Sequence, residues 1–276
     1  MSGEPVSAEA ARRILRQRTA ALDVRDERAF AHAHLAGSGN IPLAELGERR
    51  AELPPRDAPL LVVADDPAEA ARAADELASA GFGDVKYLAT PWRGMADVIE
   101  GGPGARLWRP ASFLEEILPV LPRGHALDLA AGTGRNAVCL ALHDFEVEAW
   151  DIDPEALARA ERLARRERVA IQTKVCDLES GEPPIPPGRF ELVACFRYLH
   201  RPLFPLMARA LAPGGHLVYE TYRIGQERFG KPTRERFLLE SGELVRAFAG
   251  LEILRYEEPD PPGGPLTARL LARRRD

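Results

Sequence analysis

A chain of 276 residues that is 45% hydrophobic and 29% charged has enough material for one large or two modest hydrophobic cores. No window approaches 18 uninterrupted apolar residues, and Met1-Ser2-Gly3-Glu4-Pro5 lacks the basic and apolar regions of a secretion signal, so the expected protein has no membrane partner and a cytoplasmic location. A formal net charge of −5 argues against a nucleic-acid partner, because phosphate binding usually needs a basic face.

The first segment alternates helix and strand signals. A helix opens at Ser7-Ala8-Glu9, a strand follows at Ala21-Leu22-Asp23-Val24-Arg25, and another at Pro59-Leu60-Leu61-Val62-Val63, which together predict a small α/β unit. Leu22 to Phe30, His34-Leu35-Ala36-Gly37-Ser38-Gly39-Asn40-Ile41-Pro42, Gly81 to Leu88 and Trp92-Arg93-Gly94 make residues 6–95 resemble a rhodanese domain. Members of that family place a nucleophilic cysteine just after the central strand. Here Leu61-Val62-Val63 runs into Ala64-Asp65-Asp66, with Ala64 at the cysteine position, and no cysteine precedes Cys139. No persulfide can form, and Asp65, Asp66 and Glu69 are expected to repel an anionic sulfur donor. Protein docking or stabilisation is the role left to this domain.

Gly101-Gly102-Pro103-Gly104 interrupts the pattern, so residues 96–110 read as a linker and 111–276 as a second domain, entered through a short helix at Ser112 to Leu118. Leu127-Asp128-Leu129-Ala130-Ala131-Gly132-Thr133-Gly134-Arg135-Asn136 then reads as a strand breaking into a nucleotide-binding turn and a helix from Asn136 to His143. Gly132 and Gly134 permit close backbone approach to a ligand, and the helix start presents free N–H groups to an anionic one. The turn also fits the dinucleotide fingerprint, with Asp151 about 20 residues on as a ribose ligand. Asp128 tilts the choice: it would repel a pyrophosphate but could bind the ammonium of an amino acid, which S-adenosylmethionine (SAM) carries and NAD does not.

Further segments follow in order: Glu148-Ala149-Trp150-Asp151-Ile152-Asp153-Pro154, Val175-Cys176-Asp177-Leu178, Phe190-Glu191-Leu192-Val193-Ala194-Cys195-Phe196 and Leu211-Ala212-Pro213-Gly214-Gly215-His216-Leu217-Val218. With the glycine turn they resemble the class I SAM-dependent methyltransferases. The resemblance implies a Rossmann-like seven-stranded sheet, with Asp151 on the ribose hydroxyls, Ile152 on the adenine and Asp177 on its amino group. Asp128, Ala130, Gly132, Gly134, Asn136, Cys176 and Phe196 complete the expected cofactor site. Gly134-Arg135-Asn136, Ala149-Trp150-Asp151, Ser241-Gly242-Glu243-Leu244 and Leu254-Arg255-Tyr256 look most like the tellurite-resistance methyltransferases, which suggests tellurite, selenite or a thiol as the small-molecule acceptor. The three cysteines are too scattered for disulfides and no Cys/His spacing suits a metal, so packing roles and no metal are expected. Arg159 to Arg168 reads as a solvated helix face.

Substrate contacts should come from loops at the carboxyl ends of the strands. Arg197, Tyr198 and His200, after the fourth strand, are candidates; the plainer alternatives are Tyr198 packing on the cofactor edge, Arg201 solvated and His200 capping the next helix. Tyr219 to Pro232, read as an excursion after the fifth strand, supplies Tyr222 and Arg223 and could act as a lid hinged at Gly225 and Gly230. No catalytic residue stands out. Leu251 to Tyr256 and Leu266 to Ala272 predict a closing antiparallel hairpin, with Arg273-Arg274-Arg275 solvated. Two other functions fit the same turn: a SAM-binding regulator or scaffold, and a pyridine-nucleotide oxidoreductase, which Asp128 and the lack of a following substrate domain disfavour.

Overall fold

The computed structural model describes residues 2–181 and 183–275. It separates into two compact units, Met1–Arg109 and Pro110–Asp276.

The first unit contains strands β1 (Glu4–Val6), β2 (Ala20–Asp23), β3 (His34–Leu35), β4 (Ser38–Asn40), β5 (Leu60–Val63), β6 (Val85–Leu88) and β7 (Ile99–Glu100), with helices α1 (Ala8–Arg16), α2 (Glu27–His32), α3 (Leu46–Arg49) and α4 (Pro67–Ser79). Five strands form a parallel sheet in the order β1-β6-β5-β2-β4. All four residues of the central β5 are buried, as a strand covered on both faces requires. The stripe Ala70, Ala73, Ala74, Leu77 and Ala78 buries one face of α4, whose start is fixed by Pro67 and by the Asp66 carboxylate accepting from the Ala68 N–H at 2.9 Å. Sequence reading overlooked β1, because Glu4-Pro5-Val6 has no alternation; as an edge strand it tolerates a proline that cannot donate to a ladder.

Residues 96–110 are not a free connector. Within them β7 pairs antiparallel with β3, the Ala105 N–H donates to the Ser38 carbonyl at 2.8 Å, and Leu107 joins the core around β2 and β5. A Cβ on Gly104 would collide with the Phe30 ring, so this glycine serves close packing, not flexibility.

The second unit contains α5 (Ser112–Ile117), β8 (His125–Leu129), α6 (Arg135–Ala141), β9 (Glu146–Asp151), α7 (Pro154–Arg166), β10 (Gln172–Val175), β11 (Phe190–Phe196), α8 (Phe204–Ala210), β12 (Leu211–Tyr222), α9 (Glu243–Ala247), β13 (Glu252–Glu257) and β14 (Thr267–Arg273). The sheet order is β10-β9-β8-β11-β12-β14-β13, parallel except for β14, which runs antiparallel to both neighbours. The order reverses between β8 and β11, which opens the crevice where ligands of such sheets bind. Behind it Phe204, Tyr219 and Phe248 pack with ring centroids 5.1 to 6.2 Å apart, and the Tyr219 hydroxyl donates to the Tyr198 carbonyl at 2.8 Å.

Two expectations change. Tyr219 to Tyr222 belong to β12 and pair with β14, so the excursion begins only at Arg223. Arg273 and Arg274 are engaged: the first pairs with Glu252 at 2.7 Å, and the second donates to the Leu211 carbonyl at 2.5 Å. Among the described residues no helix is long and apolar enough to cross a membrane.

Candidate active site

In the first unit, Ala64 directly follows β5 and is buried, so the position that would carry a nucleophile presents a methyl group. The neighbouring acids do not form the repulsive face expected of them. The Asp65 carboxylate accepts from the Trp92 indole N–H at 2.8 Å and the Arg93 guanidinium at 2.6 Å, with Arg25 at 3.5 Å. Burial works against its charge, but Trp92, Arg25 and Arg93 overcome this and hold the carboxyl below the usual aspartate range. Asp66 caps α4 and Glu69 pairs with Arg72. The cations that could receive a sulfur anion already face a carboxylate of the same chain.

In the second unit the chain leaves β8 through Ala130, Gly132 and Gly134 at φ of 55°, 53° and 76°. The two glycines differ in what requires them. A Cβ on Gly134 would collide with Ala160 of α7, whereas one on Gly132 would enter open space. Packing fixes the first, and an open cradle for a ligand surrounds the second. The Gly132 and Asp153 N–H groups donate to the two oxygens of Asp151 at 2.7 and 2.9 Å, which fixes that carboxylate at the mouth of the turn. Ile152 beside it is 61% exposed, a large apolar side chain open at the mouth of the turn.

Asp128 is 1% exposed and its Oδ2 has no hydrogen-bond partner among the described residues. Burial and the nearby Asp151 charge push its carboxyl up to about 7 against the opposing Ala137 N–H. A buried carboxylate with one oxygen unpaired is costly, and an incoming ammonium would remove that cost. The orphaned oxygen, the open cradle and the exposed isoleucine fit SAM. Of the other expected cofactor residues, Cys176 is half-buried against the core, Phe196 is buried at the end of β11, and Asp177 accepts from the Glu179 N–H at 2.9 Å. The Asn136 side-chain oxygen Oδ1 accepts from the Ala111 N–H at 2.8 Å.

Beyond the ends of β11 and β12 lies a cavity of about 650 Å³. It brings together Arg197, Tyr198 and Tyr222 with Lys231, Arg234 and Phe237. His200 and Arg223 do not line it. His200 stands at the cap position of the next turn without a side-chain cap bond, and Arg223 reaches the Pro259 carbonyl at 3.5 Å. Arg201, still part-exposed, is bound to Glu243 at 2.6 Å. Burial and the adjacent Glu179 keep the Tyr198 phenol protonated; its hydroxyl donates to Glu179 at 3.3 Å. Sequence reading missed Glu220, Arg234, Phe237 and Arg269. Glu220 lies inside β12, and only the register Glu220↔Arg269 reveals its partner. Among the described residues no group of three His, Cys, Asp or Glu side chains could hold a metal.

Comparison with known proteins agrees with both units. Residues 7–96 match the rhodanese-like domain family and residues 126–215 the methyltransferase domain family. An uncharacterised protein of Schizosaccharomyces pombe is 22% identical across 84% of this chain and 85% of its own length. Trans-aconitate 2-methyltransferase of Rhizobium meliloti is 32% identical across 55% of this chain, which spans 59% of that enzyme. TehB from Haemophilus influenzae shares the fold, with a TM-score of 0.50 at 19% identity over 60% of this chain and 62% of its own.

Proposed function

Because this chain joins a rhodanese-like domain to a SAM-dependent methyltransferase domain, we propose that its second unit methylates a small anionic molecule while the first serves as a non-catalytic accessory or docking module. The observation that carries this reading is the cavity beyond the ends of β11 and β12, whose lining among the described residues includes three cations and no carboxylate.

SAM, when bound, supplies a methyl group made electrophilic by its sulfonium, and the protein's part is to desolvate and align an attacking lone pair. Asp128 would hold the ammonium, Asp151 the ribose hydroxyls, Ile152 the adenine face and Asp177 its amino group. Arg197, Lys231 and Arg234 would draw in and orient the acceptor. Among the described residues no lining residue is poised as a general base, since the Tyr198 phenol stays protonated and His200 lies outside the cavity. The acceptor atom should therefore arrive with a free lone pair, as a thiolate, a chalcogen oxyanion or a carboxylate does. The tellurite or selenite reading rests on the family resemblance; the trans-aconitate relative shows that an enzyme of similar sequence bears the name of an organic acid.

Calorimetric titration of the whole chain with SAM, S-adenosylhomocysteine and NAD tests the cofactor, and S-adenosylhomocysteine release in the presence of selenite, tellurite, thiols and trans-aconitate tests the acceptor. Micromolar binding of the first two ligands without NAD is expected. Binding of NAD alone would overturn the reading.

A further inference from the structure

Resting on that reading, we infer that the acceptor is an organic anion, a molecule with an apolar or flat body whose carboxylate, or equivalent planar oxyanion, is gripped by Arg197, with Glu220 as the positioning residue. Arg197 is held more firmly than a surface arginine. Its backbone stands in the left-handed region at φ 59°, and its N–H donates to the Glu220 carbonyl at 2.8 Å. Its guanidinium meets the Glu220 carboxylate at 3.1 Å and lies over the Tyr222 ring, 4.6 Å from the centroid. Glu220 is 1% exposed, and neither of its oxygens makes a hydrogen bond of good geometry. A carboxylate so placed costs stability unless its charge fixes something else.

The charge continues away from the cavity in alternation. Arg269 lies 3.7 Å from Glu220 and 3.6 Å from Glu116, and Glu116 pairs with Arg255 at 2.8 Å, which in turn meets Glu257 at 2.7 Å. Three cations and three carboxylates balance, and the row ends at the cavity on Arg197, whose side chain is 37% exposed. One nitrogen of the fork faces Glu220 and the Tyr222 ring confines the group from a second side, which leaves a held planar donor for a planar oxyanion.

Size decides between a bare oxyanion and an organic one. A water molecule takes about 30 Å³ of liquid, so a three-oxygen chalcogen anion needs roughly 100 Å³. The cavity of about 650 Å³ lies within the range of sites for organic ligands. Tyr198, Leu199, Tyr222, Pro232 and Phe237 offer it apolar and aromatic surface that a tellurite ion could not use.

The test uses the whole chain saturated with S-adenosylhomocysteine and titrated with benzoate and cinnamate, their neutral amides benzamide and cinnamamide, and selenite. The carboxylates should bind at least tenfold more tightly than the amides. Arg197→Ala should erase that ratio, and Glu220→Gln should lower it severalfold while leaving affinity for the amides unchanged, which a merely structural defect would not do. Arg197→Lys should restore part of the ratio. Carboxylates that bind no better than their amides, or selenite that binds more tightly than either carboxylate, would overturn the inference while leaving the cofactor site standing. Failure of S-adenosylhomocysteine to bind would instead overturn the methyltransferase reading, and this inference with it.

Discussion

Each unit carries an acid where a central strand runs into a loop and helix, half-exposed in the first and buried in the second, and the two acids are treated in opposite ways. Asp65, after β5, is surrounded by Arg25, Trp92 and Arg93 and stays charged. Asp128, near the end of β8, keeps an unpaired oxygen and a carboxyl raised to about 7. A carboxylate supplied with cations by its own chain is a structural part, whereas one left buried without them awaits a cation from outside. The same architecture thus reads as closed in the first unit and open in the second.

The largest test of this contrast separates the two glycines of the open turn. Gly134→Ala, with a Cβ colliding with Ala160 at φ 76°, should cost about 3 kcal/mol of stability, visible as a lowered denaturation midpoint. Gly132→Ala should cost only about 1 kcal/mol, since its Cβ meets nothing, yet reduce SAM binding by crowding the cradle.

Asp128→Asn comes next and should weaken SAM by about 2 kcal/mol, roughly thirtyfold, through loss of a charge-assisted hydrogen bond. In the unaltered chain SAM affinity should fall about tenfold per pH unit below 7, as the carboxylate required by the ammonium becomes protonated, and the substitution should flatten that profile. Stability of the ligand-free fold should move the other way. A carboxyl with a folded pKa raised above its unfolded value of about 3.9 binds its proton more tightly when folded, so stability falls as pH rises from about 4 to about 7 and levels off above. Melting curves of Asp128→Asn that keep the full fall would show that another group causes it.

Smaller effects belong to the closed loop. Asp65→Ala should destabilise the first unit by about 1 to 2 kcal/mol, because it strips a partner from the buried Arg25 while Asp23 still holds it at 2.6 Å, and SAM affinity should not change. Ala64→Cys should have the least consequence. With Asp65 still on the cations, the new thiol should accept no sulfur from thiosulfate; measurable turnover would show that the missing cysteine is the domain's whole defect.

What was legible in the sequence was what local chemistry dictates. Ser7 announces a helix start, and Gly132 and Gly134 announce the turn, because cap bonds and dihedral needs involve residues two or three apart. The run Phe190–Phe196 is apolar because β11 is covered on both faces. The rest depends on neighbours distant in sequence. Residues 96–110 looked like a linker from their glycines, but tight packing against Phe30 is what Gly104 permits. Glu220 looked like part of a polar loop until its pairing with Arg269 placed it inside a strand. Lys231 to Phe237 form a cavity wall that no periodicity marks, since irregular segments carry none.

The hydrogen bond from Ala111 to Asn136 also bears on how the chain can be cut. The methyltransferase family match begins only at residue 126, yet α5 buries Phe113, Leu114 and Ile117, and its Glu116 answers Arg255 and Arg269. The portable module is thus longer than its shared ancestry suggests. Excision at Arg109 would preserve these contacts, whereas excision at 125 would expose the apolar floor left by α5 and release Asn136 beside the cofactor turn.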